Sequence, residues 1–130
     1  MEELRKFTRY FMKPGFYKSA FVEIDGINKM SGTVSDLSTG GFSFFIDMKN
    51  NADSKFELGK YLFVMLYFDE FHINAEVEKK WSFIKNENDE KLYTAGVSFK
   101  VISNEDRLRL NEIIGYLRIE SSAYHCKINN

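Results

Sequence analysis

Apolar and polar residues alternate along much of the chain with a period of two, which is typical of half-buried β-strands. The strand candidates are residues 19–24, 32–37, 42–46, 61–68, 71–78 and 93–101. In the segment 71–77, for example, Phe, Ile, Ala and Val alternate with His, Asn and Glu. Six short strands at regular spacing favour a small antiparallel barrel over a helical bundle.

Polar segments separate these strands and predict the turns between them. Residues 38–41 (STGG) break two strands with turn-forming residues, and residues 49–54 (KNNADS) form a longer polar loop. Residues 85–91 (KNENDEK) contain no apolar side chain, so they predict a charged hairpin loop.

The period changes to that of a helix after Ser103. Ser103 offers an N-cap with the acidic Asp106 three positions on, and an amphipathic helix is predicted from Glu105 to about Glu120. Its apolar stripe is Leu110, Ile113, Ile114 and Leu117. The predicted fold class is therefore all-β with one helix: a small six-stranded antiparallel β-barrel with a C-terminal α-helix.

Composition narrows the class of protein further. The 130 residues are enough for one domain with its own core, and 13 Phe and 7 Tyr with a single Pro suit strands. Cys126 is the one cysteine, which excludes an internal disulfide and a cysteine-based zinc site. From the sequence we expect neither a signal peptide nor a membrane-spanning segment. We therefore expect a cytoplasmic protein.

Charge is distributed unevenly along the chain. The net charge is −1, which argues against a protein that coats DNA or RNA. Residues 1–18, however, carry five positive and two negative charges, a net of +3 that leaves about −4 for the remainder. We predict a flexible basic N-terminal arm over residues 1–16, the barrel and helix over 17–120, and a tail over 121–130.

The sequence offers little for catalysis. The two histidines are His72, on the polar face of a strand, and His125, in the predicted tail beside Cys126. No metal-ligand spacing, phosphate-binding Gly-Lys-Ser/Thr loop or Gly-x-Ser-x-Gly elbow occurs. We therefore predict no enzyme activity, no cofactor and no bound metal.

Two short patterns are specific when taken together. Arg5 and Arg9 form an Arg-x-x-x-Arg pattern, and Asp36, Ser38 and Gly41 form Asp-x-Ser-x-x-Gly at the junction of two strands. Alone, the first is a basic tail and the second a tight turn. In this order, with a six-stranded barrel, they resemble the PilZ domain, a bacterial receptor module for cyclic di-GMP.

The resemblance implies a ligand site made by both motifs. Arg5 and Arg9 would pair with the phosphates or with guanine O6 and N7, because the guanidinium fork matches both. Asp36 would accept from guanine N1–H and N2–H, and Ser38 would contact phosphate or base. Gly41 would let the backbone turn and leave the surface clear for the base.

Four further residues are candidates for the same site. Lys6 and Gly40 lie within the motifs, and Gly96 begins a Gly-Val-Ser-Phe segment that resembles the end of the family's sheet. Trp81 either stacks on a purine or covers the edge of the barrel. Without the two motifs, neither Lys6 nor Trp81 would indicate a ligand site.

The resemblance predicts a single-domain cyclic di-GMP receptor with a protein partner, in motility, biofilm or surface-appendage control such as the flagellar or pilus machinery. Binding would order the arginine arm over the nucleotide, and no DNA or RNA is expected as a ligand. Two alternatives stay open: a binding-silent PilZ-like interaction module, and an oligonucleotide-binding barrel that stacks bases on aromatic side chains.

Overall fold

A computed structural model of the chain describes residues 9–11, 20–25, 30–48, 57–69 and 71–129, with backbone alone at 87 and 120–129. These residues form the strands β1 (Tyr10–Phe11), β2 (Ala20–Asp25), β3 (Met30–Leu37), β4 (Gly41–Asp47), β5 (Tyr61–Phe68), β6 (Phe71–Glu87) and β7 (Glu90–Ile102), and the helix α1 (Asn104–Asn129).

Strands β2 to β7 form a closed antiparallel barrel. The strand order is β3-β2-β5-β6-β7-β4, and β4 pairs again with β3, so the sheet closes on itself. The short β1 adds to β3, with Tyr10 opposite Leu37 and Phe11 opposite Asp36. The predicted six-stranded barrel with one C-terminal helix is confirmed, and β1 lies within the segment predicted as the arm.

The core lies inside the barrel and is made by alternate residues of its strands. Val22, Phe44, Leu66, Ile73 and Tyr93 come from five different strands and are at most 1% exposed. Burial of such side chains stabilises the fold by about 1.5 to 3 kcal/mol each. Since successive residues of a strand point to opposite faces, the residues between them form the outer surface.

The hairpin between β6 and β7 is longer than predicted. The charged loop predicted at residues 85–91 is wrong, because β6 continues to Glu87 and β7 begins at Glu90. Only Asn88 and Asp89 form the turn, with φ of 50° and 62°. A two-residue hairpin turn favours positive φ at both positions, which Asn and Asp tolerate. Charged residues extend the hairpin beyond the core, so no apolar alternation marks the strands there.

Helix α1 packs against β6 and β1 through the predicted apolar stripe. The stripe residues Leu110, Ile113, Ile114 and Leu117 are at most 2% exposed. The predicted cap is present, with the Asp106 N–H donating to Ser103 Oγ at 3.1 Å. The helix runs to Asn129, beyond its predicted end near Glu120, so most of the predicted tail is helical. Within the described part of the chain, no helix is long and apolar enough to cross a membrane.

A polar cluster ties the segment before β5 to β6 and β7. The Glu57 carboxylate accepts hydrogen bonds from Lys79 Nζ, the Tyr93 hydroxyl and Ser82 Oγ, the last at 2.9 Å. Lys79 also donates to the Leu58 carbonyl oxygen at 2.6 Å. Burial alone would raise the pKa of Glu57, but these hydrogen bonds outweigh it and lower the pKa. Burial and the nearby carboxylate raise the pKa of Tyr93.

Candidate functional site

A row of directly paired residues crosses five strands on the outside of the barrel. Phe11 of β1 lies opposite Asp36 of β3, which lies opposite Ser43 of β4. Ser43 lies opposite Gly96 of β7, which lies opposite Trp81 of β6. Directly paired residues share one face of a sheet. This outer row therefore places polar groups between two exposed aromatic side chains, Phe11 at 60% and Trp81 at 41% exposure.

Arg9 and Asp36, one from each sequence motif, form an ion pair at the β1 end of the outer row. Arg9 Nη2 donates to Asp36 Oδ2, and the Asp36 side chain is 5% exposed against 24% for Arg9. The guanidinium carbon of Arg9 lies 5.7 Å from the Phe11 ring centroid, within the range of a cation–π contact. Arg9 Nε is buried and has no hydrogen-bond partner among the described residues. One donor of the arginine is therefore left unsatisfied here.

Two serines, which the sequence analysis missed, continue the polar part of the outer row. Ser35 Oγ and Ser43 Oγ lie 2.8 Å apart and share a hydrogen bond between β3 and β4. The pairing of these strands shifts between Val34 and Asp36, which allows Ser35 to reach the outer face as well. Both hydroxyls stand beside the Asp36 carboxylate in the sheet register. The signal was weak, because a serine between phenylalanines reads simply as the outward position of a strand.

Ser38 closes the turn between β3 and β4. Its Oγ accepts from the backbone N–H groups of Gly40 and Gly41, both at 3.2 Å, and donates to the Gly41 carbonyl oxygen at 3.2 Å. The Ser38 N–H also donates to that carbonyl oxygen, at 2.8 Å. The residue is 7% exposed. Its hydroxyl is thus engaged within the turn that follows Asp36.

Gly41 allows β4 to approach β7 closely. A Cβ atom at this position would lie 2.0 Å from the Val97 carbonyl oxygen and 2.9 Å from Ser98 Cα. The preceding Gly40 accepts a hydrogen bond from the Phe99 N–H at 2.9 Å through its carbonyl oxygen. Both glycines therefore attach the Asp36 turn to β7.

Gly96 makes room for the indole ring of Trp81 at the other end of the outer row. A Cβ at Gly96 would lie 2.3 Å from Trp81 Cε2 and 2.4 Å from Nε1, so the ring lies flat over the glycine. Trp81 also stacks with Phe83, with ring centroids 5.8 Å apart and planes inclined by 20°. Phe83 is 52% exposed. Two stacked aromatic rings are therefore open to solvent beside the polar groups.

We expect Gly96→Ala to push the indole of Trp81 away from the sheet. Trp81 is the one tryptophan of the chain, so its fluorescence reports the change directly. The emission maximum should shift to the red as the ring gains water contacts. Gly59→Ala is the matched control, because its nearest heavy atom would be 3.9 Å away. An unchanged spectrum for Gly96→Ala would contradict this packing.

The structure thus brings Arg9, Asp36, Trp81 and Gly96 together and places Ser38, Gly40 and Gly41 in the adjoining turn. Arg5 and Lys6 lie outside the described residues. In the part of the chain that is described, no three His, Cys, Asp or Glu side chains are grouped to hold a metal ion.

The PilZ domain family model matches residues 3–116, which include both motifs and every strand. The chain belongs to the PilZ domain family. A sequence comparison with curated proteins found no match.

Solved structures of PilZ proteins share the fold. The complex of K. pneumonia MrkH with cyclic di-GMP has a TM-score of 0.73 at 16% identity, covering 95% of this chain and 56% of that one. The PilZ domain of YcgR from Escherichia coli with cyclic di-GMP has a TM-score of 0.65 at 17% identity, covering 96% and 99%. The Bacillus subtilis inhibitor of motility MotI/DgrA has a TM-score of 0.64 at 15% identity, covering 93% and 53%. The chain therefore spans a whole PilZ domain, but only about half of MrkH and MotI.

Proposed function

We propose that this PilZ domain is a receptor for cyclic di-GMP, which binds across the outer row without being chemically changed. The observation that carries the proposal is the buried Nε–H of Arg9 beside the Asp36 carboxylate, a donor for which the described residues offer no acceptor. A buried donor without an acceptor is costly, so a ligand that supplies one is favoured. Cyclic di-GMP offers phosphate oxygens and the guanine O6 and N7 atoms as acceptors. Two family members, MrkH and YcgR, have been solved with this ligand.

In this proposal the main role of Asp36 is to orient the Arg9 guanidinium. Its side chain is 5% exposed and already accepts from Arg9 Nη2, so little of it is free to reach a base. We infer that the carboxylate holds the guanidinium in the orientation that meets the ligand, and that it accepts from guanine N1–H and N2–H if Arg9 shifts. For Ser38 we propose a role other than the expected contact with phosphate or base, whereas Gly41 keeps its expected role in the turn of the backbone. Both shape the turn that positions Asp36.

The exposed aromatic side chains at the two ends of the outer row suit the guanine bases. Trp81 and Phe83 form a stacked pair, and Phe11 lies under the Arg9 guanidinium. Stacking of a base on an aromatic side chain contributes about 1 to 3 kcal/mol. A ligand with two guanines therefore has a platform at either end.

The basic arm completes the proposed site. Arg5 and Lys6 precede Arg9 in the sequence, and Arg9 comes directly before strand β1, which pairs with β3 at the outer row. We propose that they close over the bound nucleotide, and that a partner protein of the motility or surface-appendage machinery recognises the changed surface.

Isothermal titration calorimetry with cyclic di-GMP tests the proposal. We expect micromolar or tighter binding, with a stoichiometry that distinguishes one nucleotide from a stacked pair. GTP and a short single-stranded oligonucleotide are the comparison ligands, and the mass in solution is measured with and without cyclic di-GMP. Binding of the oligonucleotide alone would identify an oligonucleotide-binding barrel instead. No heat with any of the three would identify a binding-silent interaction module.

A further inference from the structure

A groove of about 420 Å³ lies on the arc of the barrel formed by β2, β5 and the first half of β6, next to the start of α1. The outer row described above crosses β3, β4 and the later half of β6 instead. The carboxylates at the groove belong to Glu23, Asp25, Glu76 and Asp106, and none of the described lysines and arginines lines it. The groove is therefore acidic and separate from the proposed nucleotide site.

Exposed apolar side chains alternate with carboxylates along the groove. Asp25 of β2 lies opposite Phe63 of β5, which lies opposite Glu76 of β6. Glu76 in turn lies opposite Val101 of β7. Phe63 is 63% exposed and Val101 59% exposed. This acidic row thus places an open phenyl ring between two carboxylates.

The neighbouring row of the same sheet has a similar pattern, but its carboxylate is paired with lysines of the chain. Tyr61 lies opposite Glu78. Lys60 Nζ lies 5.6 Å from the Tyr61 ring centroid and 3.8 Å from Glu78 Oε2. Lys80 and Lys100 each approach Glu78 to 3.4 Å. In this neighbouring row the aromatic ring and the glutamate opposite it therefore share a cation, Lys60.

The acidic row has a similar arrangement of an aromatic ring and carboxylates, but no cation from the described part of the chain. Among the described residues, no basic side chain pairs with Asp25 or Glu76. The other two carboxylates are engaged, since Glu23 lies close enough to the Tyr67 hydroxyl to raise the pKa of Tyr67, and Asp106 accepts from Arg109 Nη1 at 3.1 Å. As far as the structure describes the chain, the two carboxylates on either side of Phe63 are thus left for a positive charge from outside.

We propose that the acidic row is a docking surface for a partner protein, which inserts an arginine flanked by apolar residues. Asp25 and Glu76 are two interstrand spacings apart, about 10 Å between their backbones, which leaves room for a guanidinium between the carboxylates. The planar guanidinium stacks on Phe63 and its donors reach both acids. The partner's apolar residues next to that arginine, about the size of leucine, pack against Val101. Lysine, a compact point charge, fits less well.

A titration of the ¹⁵N-labelled full chain with the peptide acetyl-Gly-Leu-Arg-Leu-Gly-amide, followed by NMR, tests the surface. The protein is free of cyclic di-GMP, so the result does not depend on the receptor proposal. We expect shift changes centred on Asp25, Phe63, Glu76 and Val101 at millimolar peptide. The peptide with Lys in place of Arg should bind more weakly, and the peptide with Glu should not bind.

The double variant Asp25→Asn/Glu76→Gln and the variant Phe63→Ser should each weaken binding of the arginine peptide by about five-fold or more. Glu112→Gln is the control, because it removes an exposed carboxylate on α1 outside the groove. The amide spectrum of each variant reports whether the barrel is intact. One groove variant removes the two negative charges, and the other removes the phenyl ring. Shift changes at Arg9 and Trp81 instead of the acidic row, no shift changes, or equal binding by the groove variants and the control would overturn the proposal.

Discussion

Arg9→Ala is expected to weaken cyclic di-GMP binding by about 100-fold or more, equivalent to roughly 2.7 kcal/mol. The substitution removes the unpartnered Nε–H and the guanidinium that covers Asp36, and it leaves a carboxylate that is 5% exposed without its counter-charge. Arg9→Lys should restore part of the affinity, since it keeps the charge but loses the fork. Calorimetry measures all three proteins. Arg118→Ala, an exposed arginine on α1, is the matched control.

A double-mutant cycle separates the two roles that Asp36 can have. If Asp36 acts by orienting Arg9, the double variant Arg9→Ala/Asp36→Ala should bind hardly more weakly than Arg9→Ala alone. If the two side chains contact the ligand independently, their losses in binding free energy should add. Additive losses would refute the orienting role, and unchanged affinity of Arg9→Ala would refute the site.

Gly41→Ala is expected to lower the free energy of unfolding by about 3 to 5 kcal/mol, among the largest effects of a single added methyl group. The new Cβ would lie 2.0 Å from the Val97 carbonyl oxygen, which is a backbone atom and cannot rotate away. Strand β4 must therefore move away from β7, and the pairing that begins with Gly41 opposite Ser98 is lost. Urea denaturation followed by circular dichroism measures the change.

Gly115→Ala is the control for this experiment. No heavy atom lies within 4 Å of a Cβ built there, and the position is inside α1. Alanine has the higher helix propensity, so the free energy of unfolding should rise by about 0.5 to 1 kcal/mol. A loss of less than about 1 kcal/mol in Gly41→Ala would show that β4 and β7 tolerate the extra group.

The barrel was predictable because its strands have one face in the core. Phe42, Phe44 and Ile46 alternate with outward residues, and all three are buried as that pattern requires. The prediction was wrong at the tip of the β6–β7 hairpin. Residues 85–91 extend beyond the core there, so no apolar alternation marks them as strands. It also missed β1, since two residues are too few to show a period.

The site was predictable only as a set of residue types. The motifs placed Arg9 and Asp36 in one site, but the ion pair between them depends on the pairing of β1 with β3. Ser43 lies beside Asp36 through strand register alone, which no short sequence window contains. Gly96 and Trp81 meet in the same way across β6 and β7. Long-range register is therefore what the sequence patterns lacked.

The outward position of the row has a consequence for how the proposed receptor can diversify. Ser43 sits between Phe42 and Phe44, whose side chains fill the core while its own faces the outer surface. Alternate residues of one strand thus serve ligand preference and folding, so a substitution at an outward position leaves the core residues in place. The same barrel can acquire a new small-molecule preference, or lose its ligand, through a few outward substitutions while its interior stays unchanged.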